Sequence, residues 1–176
     1  QYQNIKKEID DAINKVIRES SFIGGEEINT FENNFANLIG TKYSISCGNG
    51  TDALYIAMKA LNLSAGQEVI TTAHSWIATS EAISQTGAKP VFIDTDEGSF
   101  CINTKLIEEK ITKNTVGIVP VHLYGQPCEM DSIKDIAKKY NLWIIEDCAQ
   151  SHLAEYKRIK VGNFGDISTF SFYPGK

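Results

Sequence analysis

The sequence lacks the features that mark several common classes of protein. Its apolar runs all fall short of the ~18 residues that suggest a membrane span, and its first ten residues are polar and charged, without the apolar core of a signal peptide. Basic residues are not in excess: 17 Lys and Arg stand against 22 Asp and Glu, for a net charge of -5. A membrane anchor and a broad nucleic-acid-binding surface are therefore not expected.

Paired cysteines and metal-ligand spacings are missing as well. The four cysteines form no C-x-x-C pair, and three of them lie in or beside apolar runs, where buried, reduced thiols are expected. The three histidines are far apart, and none stands at ligand spacing from a cysteine. The sequence therefore predicts a reduced, cytoplasmic protein without a metal site. The residues concerned are Cys47, Cys101, Cys128, Cys148, His74, His122 and His152.

The sequence does contain an ordered succession of helical and strand-like segments. Two amphipathic segments, 5–17 and 28–39, have apolar residues at helical spacing, and Gly40 ends the second. Short apolar runs then predict strands at residues 43–47, 68–72, 90–94, 116–121, 142–146 and 167–172. Helix-length segments lie between most of them, at residues 52–61, 77–86, 104–111 and 130–140.

This alternation predicts the fold class. Several of the strands are apolar throughout, as in a parallel sheet that is covered on both faces. Repeated strand-helix-strand units predict an α/β protein, a three-layer αβα sandwich with a mostly parallel sheet. The 176 residues, 42% of them hydrophobic, suffice for one domain with a core, and no linker divides them. Functional residues are expected just after the strands, at their carboxyl ends.

A glycine-containing turn, GNGTDA at residues 48–53, follows the first predicted strand and opens a helix. Small residues and the free N–H groups of a first helical turn can hold a phosphate, although an ordinary strand-to-helix turn explains the segment equally well. The literal G-x-G-x-x-A pattern also suggests a dinucleotide. That reading is disfavoured because Glu68, the acid of the second strand, lies at the wrong end of it.

Two further strand ends carry residues suited to a flat, cationic ring. Trp76 follows the second strand and could stack on a planar cofactor, or pack in the core at the start of a helix. Asp147 follows the fifth strand, where a buried carboxylate needs a cationic or hydrogen-bonded partner. It could hold the proton on a pyridine nitrogen or cap a helix. Gln150, in the same loop, could reach the ring hydroxyl or be an ordinary loop residue.

The last segment, FSFYPGK at residues 170–176, places Lys176 after an apolar strand and a Pro-Gly turn. A lysine in that position can form an imine with an aldehyde cofactor. Taken alone, such a lysine is a solvated surface group, and only the other candidate residues change that interpretation.

Together these segments resemble the DegT-type family of nucleotide-sugar aminotransferases, which have the fold of aspartate aminotransferase. The matching segments occur in the family's order over nearly the whole chain, and the ordered set is far more specific than any one of them. They are FE at 31–32, NGTDAL at 49–54, GAKPVFID at 87–94, VHLYGQP at 121–127, ED at 146–147 with AQ at 149–150, and FSFYPGK at 170–176.

The resemblance implies a role for each candidate residue around pyridoxal 5'-phosphate. The amides of Gly50 and Thr51 and the hydroxyl of Ser171 would hold the phosphate, and Trp76 would stack on the ring. Asp147 would pair with the ring nitrogen and Gln150 with the ring oxygen. Lys176 would be the catalytic residue, forming the covalent Schiff base and then moving protons at the substrate carbon.

The resemblance also implies substrates and a domain arrangement. Residues 1–176 would comprise N-terminal helices and part of the cofactor-binding large domain, with the small C-terminal domain outside this chain and a homodimer as the assembly. The YPGK ending is most similar to enzymes that move an amino group from glutamate to a 3-keto sugar, commonly dTDP-3-keto-6-deoxyhexose. Relatives with His in place of Lys176 dehydrate the sugar instead, which the lysine argues against.

Two residues fit the resemblance less well, and two other functions stay open. Asp52 beside a phosphate is electrostatically unfavourable unless its side chain turns away or caps the helix. Leu153 replaces the glycine of the family's His-Gly-Ala, which puts the shape of that loop in question. The alternatives are a nicotinamide-dependent oxidoreductase that uses the 48–53 turn, and a non-catalytic regulator that binds pyridoxal phosphate.

Overall fold

The computed structural model describes residues 2–176 and divides them into two compact units. The first comprises the described residues up to Leu38 together with Lys42–Ser46, and the second comprises Ile39–Thr41 and Cys47–Lys176. None of the helices in the described residues is both long and apolar enough to span a membrane.

The first unit contains the two helices that the sequence predicts, α1 (Tyr2–Arg18) and all but the last residue of α2 (Glu26–Ile39). Basic residues end α1 and acidic residues begin α2, which matches the direction of the helix dipoles. Lys15 at the end of α1 forms an ion pair with Glu27 at the start of α2, with 2.6 Å between Nζ and Oε1. After α2, Gly40 adopts a positive φ of 96°, the left-handed conformation that commonly ends a helix.

The prediction of a strand at residues 43–47 is wrong. This segment pairs with no strand in the described part of the chain. The Ser46 N–H instead donates to the Glu32 carboxylate, with 2.6 Å between N and Oε1, and the Ile45 side chain is 84% exposed. An alternating apolar pattern produces a strand only where a neighbouring strand can take up its backbone groups.

The second unit is built on a five-stranded parallel sheet. Its strands are β1 (Glu68–Thr72), β2 (Lys89–Ile93), β3 (Thr115–Val119), β4 (Trp143–Asp147) and β7 (Ile167–Thr169), in the order β2-β1-β3-β4-β7. A short hairpin, β5 (Glu155–Tyr156) with β6 (Ile159–Lys160), was not predicted. The last strand ends three residues earlier than predicted because its partner β4 ends at Asp147, opposite Thr169.

The helices of the second unit cover both faces of this sheet. They are α3 (Gly50–Ala60), α4 (Ala78–Gln85), α5 (Ile107–Lys110), which follows a 3-10 turn at Thr104–Leu106, and α6 (Met130–Tyr140). Residues 104–111, predicted as one helix, thus form two short ones. The boundaries of α3, α4 and α6 lie within two residues of the prediction.

Consecutive strand residues point to opposite faces and supply two separate cores. Val69, Val119 and Ile145 pack with residues of α3 and α4. Ile70, Ile118 and Ile144 pack with residues of α5 and α6. The apolar runs of the sequence therefore reflect a sheet buried on both sides, and the predicted three-layer α/β sandwich is confirmed.

A buried carboxylate at the end of β4 fixes the loop that leads to β7. Glu146 accepts four hydrogen bonds, from the amides of Gly162, Phe164 and Gly165 and from Nε2 of His122, at 2.7–3.0 Å. The Cys128 N–H donates to Nδ1 of His122 at 3.1 Å, so Nε2 carries the proton. Burial alone would raise the pKa of Glu146, but His122 and the amides more than offset it and hold the pKa below its usual value.

We predict that Glu146→Gln lowers the free energy of unfolding by about 3 kcal/mol, since an amide NH₂ would face buried N–H donors and leave some without acceptors. Urea denaturation of the variant and of the parent protein measures this change. Glu109→Gln on the exposed side of α5 is the matched control and should shift the value by less than about 0.5 kcal/mol. Equal stabilities for the two variants would contradict the anchoring role.

The loop after β4 keeps a left-handed residue where the sequence has no glycine. Leu153 has a φ of 62° and is half-exposed, so it occupies a backbone region that favours glycine. A leucine in this conformation is strained, because a side chain in this region costs about 1 kcal/mol.

We predict that Leu153→Gly is more stable than Leu153→Ala by about 1 kcal/mol, since both remove the side chain beyond Cβ and only glycine relieves the strain. Thermal and urea unfolding of the two variants provide the comparison. An alanine variant as stable as the glycine variant would show that the backbone at this position is not strained.

Candidate active site

The carboxyl ends of the parallel strands bring most of the predicted site residues to one edge of the sheet. Trp76 follows β1, Asp147 ends β4 and Gln150 follows it, while Ser171 and Lys176 follow β7. Gly50 and Thr51 form the first turn of α3 and reach the same edge through Ser171.

The first turn of α3 lies directly against Ser171. A methyl group added at Gly50 would lie 3.0 Å from Cβ and 3.3 Å from Oγ of Ser171, so only glycine leaves this approach open. Asn49 caps the helix by accepting from the Asp52 N–H at 2.9 Å, while the N–H groups of Gly50 and Thr51 precede the helical hydrogen bonds. Two free amides, a hydroxyl and a helix N-terminus form a cradle for an anion.

The Asp52 carboxylate belongs to the cap of α3. Its Oδ2 accepts from Nδ2 of Asn49 at 2.9 Å and lies beside the backbone of Gly48. This arrangement satisfies the carboxylate within residues 48–52 and places its charge at the favourable end of the helix dipole. The electrostatic conflict that the sequence suggested is resolved by this capping.

Asp147 is the most deeply buried candidate, with 4% of its surface exposed. Oδ2 accepts from the Thr79 hydroxyl at 2.8 Å, and Oδ1 accepts from the Ala149 N–H at 3.1 Å. Burial raises the pKa of this carboxyl, while Thr79, Ala149, the His122 ring and the Lys176 ammonium each lower it. Asp147 begins no helix, which removes the helix-cap alternative and leaves a carboxylate whose ionised form needs positive charge.

Thr79 was missed by the sequence reasoning. It lies in the first turn of α4 and is buried on the same face as Ala82 and Ile83, which pack against the sheet. A hydroxyl on the apolar face of a helix needs a partner, and its spacing from Ala82 and Ile83 was the signal that could have revealed it.

Gln150 is fixed in one orientation by the neighbouring loop. Its Oε1 accepts from the Tyr124 N–H at 2.9 Å. Because the carbonyl oxygen is engaged there, the amide NH₂ remains available as a donor. A donor at this position suits a ligand oxygen.

Trp76 does not pack in the core. Its side chain is 75% exposed at the loop between β1 and α4. A large exposed aromatic ring at the functional edge of the sheet is available to cover a flat ligand, so the core-packing alternative is wrong.

Lys176 is exposed, and its charge affects the pKa of two other groups at this edge, Asp147 and His152. Besides its effect on Asp147, it lowers the pKa of His152, after the larger effect of burial, which also lowers it. His152 itself lies between the rings of Phe170 and Phe172, at centroid distances of 5.5 and 5.1 Å. The segment that carries Ser171 and Lys176 is thus packed against the loop that follows Asp147.

His122, Glu146 and Cys148 form a buried group whose potential ligand atoms lie within 4.8 Å of one another. Both nitrogens of His122 and both oxygens of Glu146 are occupied by the hydrogen bonds described above. These bonds assign the group to anchoring the sheet.

The geometry disfavours the nicotinamide alternative. A dinucleotide turn joins a strand to a helix, but the residues before Gly48 form no strand, as described above. Glu68 stands at the start of β1, where it accepts from Lys89 and Thr112 at 3.1 and 2.6 Å. It is therefore distant from the edge that carries the candidate site.

Comparison with known proteins agrees with this arrangement. The family model of the DegT/DnrJ/EryC1/StrS aminotransferases matches residues 3–176. The dTDP-3-amino-3,6-dideoxy-alpha-D-galactopyranose transaminase of Aneurinibacillus thermoaerophilus is 48% identical over 95% of this chain and 46% of its own length. A pleiotropic regulatory protein of Geobacillus stearothermophilus is 43% identical over 100% of this chain and 47% of its own.

A solved structure shows the same fold. That of DesV from S. venezuelae, in complex with a ketimine intermediate, superposes with a TM-score of 0.97 at 38% identity, over 99% of this chain and 47% of the other. The chain spans about half the length of the curated relatives that it matches. On the family match, the sequence identity and the shared fold, this chain belongs to the DegT/DnrJ/EryC1/StrS aminotransferase family.

Proposed function

We propose that the protein is a pyridoxal-phosphate-dependent aminotransferase that moves an amino group from glutamate to a nucleotide-linked keto sugar. The observation that carries this proposal is the Asp147 carboxylate. It is buried at the end of β4, and the positive charge of Lys176 reaches it. Pyridoxal phosphate needs a carboxylate for its ring nitrogen and an amine for its aldehyde. Asp147 and Lys176 offer these two groups at one edge of the parallel sheet.

The residues present fit this cofactor. A protonated pyridine nitrogen would supply the positive charge that a buried Asp147 carboxylate needs. The α3 amides with Ser171 suit its phosphate, the Gln150 NH₂ suits its ring oxygen, and the exposed Trp76 ring suits its flat face. When bound, pyridoxal phosphate supplies an electron sink for a carbanion at the substrate carbon.

The chain's own residues would then do the following work. Asp147 would hold a proton on the ring nitrogen, and Thr79 with the Ala149 N–H keeps its carboxylate in position. Lys176 would provide the amine that binds the cofactor covalently and would also move a proton at the substrate carbon. The amides of α3 would hold the phosphate and so help to orient the cofactor toward Asp147 and Lys176.

The proposed acceptor is a dTDP-3-keto-6-deoxyhexose. Support comes from the YPGK ending and from the relative that is named for a dTDP-3-amino-3,6-dideoxygalactose product. Lys176 supports transamination rather than dehydration, because the proton-moving amine is present.

Assembly, domain composition and location are part of the same proposal. Residues 1–176 would contribute N-terminal helices and part of the cofactor-binding large domain to a homodimer in the cytoplasm. The four cysteines are free, three of them buried, which supports a reducing compartment. Light scattering of the full-length protein gives the oligomeric state, and a monomer would overturn that part.

The second candidate function is a regulator that binds the cofactor without turnover, and the relative named as a pleiotropic regulatory protein is the observation behind it. Glutamate separates the two functions. A transaminase converts the bound cofactor to its amine form when glutamate is added, whereas a regulator leaves the spectrum unchanged.

We predict that the full-length protein shows an absorbance band near the visible edge that borohydride removes, with the cofactor then attached to Lys176 in a peptide map. Lys176→Ala should abolish both the attachment and amine transfer, since no other amine takes that position. Asp147→Asn should keep the attachment and lower kcat by about a hundredfold or more, because the ring proton loses its counter-charge.

The surface variant Lys139→Ala, at the opposite edge, is the control and should match the parent protein. Unchanged turnover in Lys176→Ala would remove this residue from the mechanism. Fluorescence of bound reduced nicotinamide, without a lysine-linked chromophore, would instead support the oxidoreductase.

We predict that Thr79→Val lowers kcat about tenfold and moves the acid limb of the pH–rate profile to higher pH. The Thr79 hydroxyl donates to Asp147 and lowers its pKa, so its loss lets burial raise that pKa further and the carboxylate protonates at a higher pH. Thr79→Ser keeps the hydroxyl and should restore the profile. A purely structural role for Thr79 would lower stability but leave the acid limb where it is.

A further inference from the structure

Three aromatic side chains that the proposed mechanism does not use form a cluster beside Gln150. They are His74, after β1, Phe100, after β2, and Tyr124, after β3. The His74 ring lies between the other two, at centroid distances of 6.3 Å from Phe100 and 6.2 Å from Tyr124, and its Nε2 is 3.5 Å from the Tyr124 hydroxyl. We call this group the aromatic triad.

The triad is exposed in spite of its apolar area. The Tyr124 side chain is 72% exposed and that of Phe100 is 52% exposed, and His74 is exposed as well. Neither Tyr124 nor Phe100 contributes to the two cores of the sheet. Their contribution to the fold is therefore small, and their rings are free to contact a ligand.

The backbone holds these rings in an unusual conformation. Phe100 has a φ of 58° and Tyr124 a φ of 55°, values that bulky residues rarely adopt. The two loops are joined, since the Cys101 thiol donates to the Gln126 carbonyl at 3.3 Å. Strained residues that are held by their surroundings and point at solvent are typical of functional sites.

The triad adjoins the proposed cofactor position on the side of the ring oxygen. Tyr124 donates its backbone N–H to Gln150, the residue proposed to meet that oxygen. The β2-β1-β3-β4 strand order places the triad on the far side of β4 from Ser171 and the phosphate cradle. A ligand that approached the reacting edge from this side would pass over the three rings.

We propose that the aromatic triad is the subsite that binds the hexose ring of the amino-group acceptor. A pyranose has C–H faces that pack on aromatic rings and hydroxyls that bond to a phenol or an imidazole, and the triad offers both kinds of group. This inference rests on the proposed aminotransferase function and adds the residues that select the sugar. It assigns no contact to the nucleotide.

The test uses the full-length holoenzyme with Tyr124→Ala and Phe100→Ala. Alanine keeps a Cβ in the same left-handed conformation, so only the ring is lost, and the Tyr124→Ala backbone N–H still reaches Gln150. The probes are dTDP-3-amino-3,6-dideoxygalactose in the reverse reaction, glutamate in its own half-reaction, and dTDP alone as an inhibitor. Tyr140→Ala, at the end of α6 on the opposite edge, is the matched control.

The proposal predicts that KM for the amino sugar rises about tenfold in each variant. The glutamate half-reaction and the Ki of dTDP should stay within about twofold of the parent, as all three values should in Tyr140→Ala. A parallel rise in Ki would place the nucleotide on the triad, and an unchanged KM would mean that the triad binds no substrate. Both results overturn the proposal. Failure of the proposed function itself is recognised separately, because the parent protein would then not respond to glutamate.

Discussion

Burial of the Asp147 carboxylate at the end of β4 is the constraint on which the rest of the site depends. The neighbouring Glu146 is equally buried, yet its four hydrogen bonds hold its pKa low and leave it fully satisfied. Asp147 has two, and burial raises its pKa. The two adjacent acids therefore differ in role because they differ in the number of donors. Glu146 is a structural anchor, whereas Asp147 still needs positive charge.

The parallel sheet places other candidate residues at the same edge as this acid. Because all five strands run in the same direction, the residues that follow them lie at one edge, and Trp76, Tyr124, Gln150 and Lys176 are at the same edge as Asp147. Loops at this edge also carry left-handed residues such as Leu153, Tyr124 and Phe100. Strained backbone is thus present where chemistry is proposed, while the two cores keep the strands themselves regular.

The sequence predicted the layers and the site's location, because buried parallel strands leave apolar runs and functional residues follow them. It could not predict that residues 43–47 form no strand, since their alternating pattern does not reveal whether a partner strand exists. Thr79 was missed because its role depends on a contact 68 positions away in the chain. The left-handed conformation of Leu153 could not be predicted either, since only the folded backbone shows its positive φ.

The most direct test of the account concerns the charge opposite Asp147. The full-length protein would be reconstituted with pyridoxal phosphate labelled with ¹⁵N in the ring, and the nitrogen signal would be recorded by NMR. The account predicts the chemical shift of a protonated ring nitrogen in the parent protein across neutral pH. A deprotonated nitrogen beside Asp147 would contradict the account, because the buried carboxylate would then lack the cationic partner that the ring is proposed to supply.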